Sequence, residues 1–306
     1  MKFLLLALLI SLQVKVFSLD PITMDPGKVL SWPVESWRDK RFEVFRWDRF
    51  PEILIFDTAS YAIQDRLFKR LAFFVEKTGF RGRLSRDSEI AELHGWNAHD
   101  YQARDLAAFF EAARKSNFPL LAEERELETL LLREGIISRS AAQEIIPGRG
   151  AVISLSRESD LVNRTLRPRF MAHEGFHAIY FIDEDFRNFT RRRWEIFPAQ
   201  SKRFLLSFFE FQAYDIRDTE LVLKEFMAHL LQLPVSQAGW FFGELQPNRM
   251  IETSPRRASS LPEREELTRE GRRFWPDLAR DFTAEAEVFS QYVNQRWGLS
   301  AGKVWR

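Results

Sequence analysis

The chain opens with an apolar run from Phe3 to Leu12, broken only by Ser11, with Lys2 ahead of it and Gln13 and Lys15 behind. The run stops well short of the roughly 20 residues that span a bilayer, and Val16 and Ser18 supply small residues for cleavage. The pattern therefore predicts a signal peptide over 1–18, cut after Ser18. No later segment sustains an apolar run of spanning length, so no stable membrane span is expected after cleavage.

Beyond the leader, Pro21, Pro26, Gly27 and Pro33 mark an extended lead-in. The runs Phe42–Trp47 and Glu52–Phe56, split by Asp48-Arg-Phe-Pro51, read as paired strands. Between Tyr61 and Lys77 the residues Ile63, Leu67, Leu71, Phe74 and Val75 recur at helical spacing, and Gly79 closes the segment. Further helices are expected at 87–94, 101–115 and 121–134. Pro147-Gly-Arg-Gly150 breaks the chain, Ala151–Ser156 follows as a strand, and a long helix runs from about Thr165 to Phe181 with Pro168 in its first turn. Pro198 opens a helix through Tyr214, and Asp218 or Thr219 caps one that reaches Leu233 and stops at Pro234. Residues 234–275 read as irregular, and a last helix covers about 276–296. The expected fold class is α+β, mostly helical, with a small sheet before the long helix. One domain is expected over 19–306, with strands and helices in 19–160 and a helical part in 161–306.

Composition narrows the chemistry. Forty-five basic residues against 44 acidic ones leave a formal charge of +1, so nothing in bulk charge points to nucleic acid as a partner. Cysteine is absent, which removes disulfides, thiolate metal sites and cysteine nucleophiles together. An exported chain without cysteine fits bacterial export, to the periplasm or outside the cell, better than an oxidising eukaryotic pathway. Histidine occurs five times in 306 residues, which gives its placement weight.

Two of the five lie in His173-Glu174-Gly175-Phe176-His177, an H-E-x-x-H sequence inside the long helix. Positions i and i+4 share a helical face, so His173 and His177 can bind one ion. Glu174, one residue on, reaches a water held by that ion and can take its proton. The ion lowers the pKa of that water towards neutrality, and hydroxide is delivered to a carbonyl carbon, which is the mechanics of a zinc peptidase. The neighbours Met171, Ala172, Gly175, Phe176, Ala178 and Ile179 carry no charge, so the helix suits burial beside a metal. The bland alternative is a buried helix whose histidines satisfy each other or the backbone. That would take two imidazoles and a carboxylate out of water to no purpose.

The segment 170–181 closely, and 219–233 loosely, resemble the zincin metallopeptidases and within them the gluzincin branch, where a glutamate on a later helix is the third ligand. The resemblance implies His173 and His177 as ligands of one Zn2+ per chain and Glu174 as the catalytic base. A catalytic zinc wants three protein ligands and an open position. The best third candidate is Glu225, a carboxylate set among Phe226, Met227, Ala228, Leu230 and Leu231 and in need of a partner there. Several gluzincin families carry an aspartate four residues after this glutamate to orient a histidine ligand. This chain has His229, which could instead face the site and bind substrate or its oxyanion. The rival third ligand is Asp183, at the metzincin spacing. That branch needs a glycine where this chain has Tyr180, and tyrosine does not take the required turn cheaply. Tyr180 and Tyr214 are further candidates for the oxyanion, while His94 and His99 are expected in a loop or cap.

In zincins a strand ahead of the active-site helix pairs with extended peptide, and Ala151–Ser156 matches it by chain order. Trp240-Phe-Phe242 offers material for apolar pockets. The expected function is an exported zinc metallopeptidase that hydrolyses peptide or other amide bonds, with a peptide or protein as partner and no stated oligomeric state. The alternative is a zincin-like, non-catalytic binding or assembly protein of the cell envelope, which would keep its function when Glu174 is lost.

Overall fold

The computed structural model describes residues 20–95, 97–158, 161–253 and 271–306. The expected signal peptide, 1–18, lies outside the described residues. Seven strands are present among them: β1 (Ile22–Met24), β2 (Phe42–Trp47), β3 (Ile53–Thr58), β4 (Ala98–Gln102), β5 (Ile137–Arg139), β6 (Ile145–Pro147) and β7 (Ala151–Ser156). The helices that position the site are α1 (Pro26–Ser31), α2 (Tyr61–Val75), α3 (Asp87–Ile90), α4 (Ala103–Lys115), α5 (Ala122–Arg133), α6 (Leu161–Ile182), α7 (Glu184–Ile196), α8 (Ala199–Phe211), α9 (Thr219–Leu231), α10 (Val235–Trp240), α11 (Gln246–Thr253) and α12 (Gly271–Trp297). The chain is thus mixed α+β, 58% helical, with a small mixed sheet, in keeping with the expected fold class.

Five strands form that sheet in the order β1-β2-β3-β7-β4. β2 and β3 pair antiparallel across the Pro51 turn, β3 and β7 run parallel, and β4 returns antiparallel on the far edge of β7. Successive side chains point to opposite faces, and this alternation builds two cores. Val44, Leu54, Phe56, Tyr101 and Val152 face Leu67, Phe68 and Leu71 of α2, Leu106 and Phe110 of α4, and Leu127 and Leu130 of α5. Phe45, Trp47, Ile53, Ile55, Ile153 and Leu155 face Met171, Phe176 and Ile179 of α6, with the later helices beyond. Burial on both faces explains why β3 and β7 are mostly apolar rather than alternating.

Several expectations change in three dimensions. Residues 101 and 102 belong to β4, and α4 begins only at Ala103, because the backbone at 98–102 is claimed by pairing with β7. The hairpin β5–β6 was not anticipated. The long helix starts at Leu161, so Pro168 lies inside it rather than in its first turn. Arg167 holds this stretch in place: its guanidinium donates to Asp57 at 3.0 Å and to the Ser156 carbonyl at 2.7 Å. Residues expected to be irregular form α10, a π-type turn at Phe241–Leu245 and α11. Gly239 and Gly243 let α10 and the π-type turn lie against α12, where a Cβ on Gly243 would come within 2.7 Å of the Ala279 side chain. No helix among the described residues is long and apolar enough to cross a membrane.

Asp57 ties the sheet to α6. It is fully buried on β3 and also takes a guanidinium hydrogen bond of 2.7 Å from Arg157. Removing one partner from such a cluster leaves charge buried and uncompensated. Asp57→Ala is therefore expected to destabilise the fold by about 3–5 kcal/mol, read as a lowered urea midpoint with an unchanged m-value. A loss below about 1 kcal/mol would mean that the cluster does not hold α6 to the sheet.

Candidate metal centre

α6 carries His173 and His177 one turn apart on one face, and α9 packs beside it. The two Nε2 atoms lie 3.1 Å from each other. Glu225 on α9 presents Oε2 at 3.5 Å from His173 Nε2 and Oε1 at 3.4 Å from His177 Nε2. His177 is fully buried and Glu225 is 2% exposed, so their polar atoms answer to one another rather than to bulk water. Burial pushes the Glu225 carboxyl up, but the imidazoles of His177 and His173 outweigh it and hold that carboxyl well below the usual range. Burial likewise pulls His173 below the ordinary histidine value, with Glu225 opposing. One ligand atom from each of the three falls within 4.8 Å of the others, so the trio could hold a metal ion.

The helix can sit so deep because of Gly175. A Cβ there would come within 3.1 Å of Val304 and 3.5 Å of Trp47, so the missing side chain lets the sheet and the C-terminal segment close against α6 at the centre of the motif. Both flanking atoms are buried, Val304 at 0% and Trp47 at 1%.

His229 follows Glu225 by one turn, and its protonation can be worked out from its neighbours. Arg169 Nε donates to Gln232 Oε1 at 3.0 Å, which fixes the amide with its NH2 towards His229. That NH2 donates to His229 Nδ1 at 2.8 Å, so Nδ1 is an acceptor. Burial keeps the imidazole well below its ordinary pKa, hence neutral, and a neutral ring accepting at Nδ1 carries its proton on Nε2. That N–H is buried, without a hydrogen-bond partner among the described residues, and lies 3.7 Å from Glu225 Oε2. Phe208 and Phe209 box the ring.

Glu174 borders the same cleft at 7% exposure, beside Asp100 and His177. Asp100 comes from β4 and Glu76 from the end of α2; Lys224 Nζ bonds Asp100 at 2.9 Å and lies 3.9 Å from Glu76. Burial raises Glu76 to about 7, and burial with the charges of Asp100 and Glu225 raises Glu174 well above the carboxyl range, against the pull of Lys224. Four carboxyl groups thus share one lysine, and the crowding that keeps Glu174 protonated in the absence of further positive charge favours a bound cation. The cleft holds about 360 Å³, and Tyr214, Arg169, Gln246 and Arg249 complete its walls.

The structure brings His173, Glu174, His177, Glu225, His229 and Tyr214 to one cleft. Asp183 is elsewhere: it caps α7, accepting from Phe186 N at 2.7 Å, and pairs with Arg296 at 2.8 Å. Tyr180 turns away to Glu220 at 3.3 Å. His99 lies on the opposite face of β4, bonded to Tyr101 at 2.8 Å, while His94 lines the cleft from a loop and contacts Asn97. Phe241 and Phe242 are core, and Trp240 is exposed. Asp100, Glu76 and Lys224 escape the sequence because sheet topology, not spacing, gathers them. Lys224 did carry a signal, since it sits in an otherwise apolar helix beside Glu225. No family model, curated protein or solved structure matches the chain.

Proposed function

We propose that the protein is a zinc-dependent metallopeptidase of zincin type with the gluzincin ligand set His173, His177 and Glu225. The observation that carries this reading is the convergence of three ligand residues, with the two imidazole Nε2 atoms 3.1 Å apart and Glu225 offering one oxygen to each, Oε2 at 3.5 Å from His173 and Oε1 at 3.4 Å from His177. A tetrahedral ion with bonds of about 2.0–2.1 Å needs donors roughly 3.3 Å apart. Two imidazoles and a carboxylate are also the donor chemistry of a catalytic rather than a structural zinc. Such an ion, when bound, would polarise a carbonyl and acidify water.

The remaining work falls to the chain. Glu174, beside these ligands and ionised once a cation's charge offsets its carboxyl neighbours, takes the proton of the attacking water and returns it to the departing amine nitrogen as the C–N bond breaks. His229 offers its Nε2–H to the carbonyl oxygen as negative charge grows there. Extended substrate requires a free strand edge, and here the assignment by chain order is corrected. β7 is paired on both sides, to β3 and β4, so Ala151–Ser156 has no edge to give. β4 is the edge strand that borders the cleft. Ala103 N bonds Gly150 O at 3.2 Å, and antiparallel alternation then directs His99 and Tyr101 towards β7 and turns the backbone groups of Ala98 and Asp100 outward. Both residues line the cleft, so backbone pairing to a peptide is available beside Glu174. Export, to the periplasm or beyond, is part of the same proposal and rests on the leader sequence 1–18.

The test is elemental analysis of purified chain 19–306 after desalting, followed by mass spectrometry of peptide mixtures incubated with it. About one zinc per chain and new peptide ends that vanish with chelator are expected. A chain that holds no zinc and takes up none when it is added would overturn the proposal.

A further inference from the structure

Arg169 lies one turn before His173 on the face of α6 that carries the ligands, and it lines the metal cleft. Its Nε–H is taken by Gln232 and its plane rests on the Phe241 ring at 4.6 Å. Among the described residues no carboxylate pairs with it. Arg249 of α11 borders the same end of the cleft, and together with burial it pulls Arg169 down to about 10, still charged at neutral pH. A half-buried guanidinium with its terminal nitrogens left to the cleft suits a planar anion taken end-on by two parallel hydrogen bonds.

Strand direction says which end of a peptide arrives there. The first half of α6 (Leu166, Arg169, Phe170) shares a cleft with Asn97 and Ala98, whereas its end (Tyr180, Phe181) borders Gln102 and Arg104, so α6 and β4 run the same way. A peptide pairing antiparallel to β4, the more stable sense, runs from the Gln102 end to the Ala98 end. Its carboxyl end therefore points at Arg169 and Arg249, and the reversed peptide would bring its ammonium there instead. Four residues of helix separate Arg169 from His173 by about 6 Å along the axis. An extended chain advances about 3.3 Å per residue, which places the guanidinium one or two residues beyond the bond under attack.

We propose that Arg169, with Arg249, binds the free C-terminal carboxylate of a peptide substrate, so that the protein releases one or two residues from peptide C-termini. This rests on the peptidase reading above, and the water consumed leaves a shortened peptide carboxylate and a free amino acid or dipeptide. Binding and cleavage are therefore to be measured separately. The binding probes are N-acetylated, dye-labelled hexapeptides ending in a free carboxylate, in an amide, or in an amide after a penultimate glutamate. They are titrated into the zinc-loaded Glu174→Gln chain, and the wild-type products are read by mass spectrometry.

The free acid is expected to bind about tenfold or more tightly than the amide, with Arg169→Gln erasing that ratio and Arg169→Lys restoring part of it. Arg249→Gln serves as the second variant if loss of the Arg169 contact to Gln232 disturbs folding, and it should lower the same ratio. Equal binding and cleavage of acid and amide would overturn the inference and leave the peptidase reading intact. An amide rescued by its penultimate glutamate would overturn it in favour of an acidic side chain within a longer substrate. Preference for the acid that depends on Arg169, with no cleavage of any peptide, would uphold the carboxylate site and sink the peptidase reading. Neither binding nor cleavage would overturn both.

Discussion

Glu174→Gln is expected to abolish peptide hydrolysis while leaving the zinc content unchanged. The amide has nearly the shape of the carboxylate, so the packing of α6 against Val304 and Trp47 is preserved. It has no basic lone pair with which to take a proton from water. General-base catalysis contributes about 10²–10⁴-fold, and kcat should fall by at least that range, with peptide binding retained. Glu174 is not one of the three proposed ligands, but with Asp100 and His177 it forms a second group that could hold a metal, so zinc content separates its role as base from a role as ligand. The measurement is kcat on a defined peptide together with zinc per chain for both proteins. Turnover within tenfold of wild type would remove Glu174 from the reaction, and a loss of zinc would make it a ligand instead.

Glu225→Ala is expected to weaken zinc binding by more than about 100-fold, beyond what loss of even an outer partner of a ligand costs. Only two imidazoles would remain as ligands. Asp183→Ala is the matched control, because the spacing in sequence offers it as the competing ligand. The structure makes it a helix cap, so its loss should cost about 0.5–2 kcal/mol of stability and leave zinc affinity unchanged. Competition against a chelator of known affinity ranks the two variants. The opposite ranking would place the third ligand after the motif and dissolve the gluzincin reading.

Much of this site could be read from the sequence, for a physical reason. His173, Glu174 and His177 are coupled by helical spacing, which is local, and Glu225 betrayed itself as a carboxylate in an apolar helix. The strands β2, β3 and β7 are legible because burial on both faces leaves short segments rich in apolar and β-branched residues. β4 did not: Ala-His-Asp-Tyr-Gln has no such run, since Asp100 serves the cleft and His99 and Tyr101 face the opposite core. Missing β4 also misplaced the proposed substrate edge, which depends on which strand is outermost, a property of the whole sheet. α10, the π-type turn and α11 escape the sequence because Gly239, Gly243 and Pro247 argue against helix locally, while contact with α12 rewards the two glycines.

The space beside Gly175 is filled by Val304, a residue encoded far downstream of every proposed ligand. A growing polypeptide that has emerged as far as α9 already contains both histidines, Glu174, Glu225 and the sheet, yet it lacks the C-terminal segment that closes over α6 at Gly175. Contacts between distant parts of a chain form late, because the intervening loop must first be closed at an entropic cost. Assembly of the cleft is thereby tied to the end of folding rather than to the synthesis of its reactive groups. On the proposed peptidase reading, a partly folded copy would hold the reactive groups without their geometry and would spare neighbouring unfolded chains until the fold is complete.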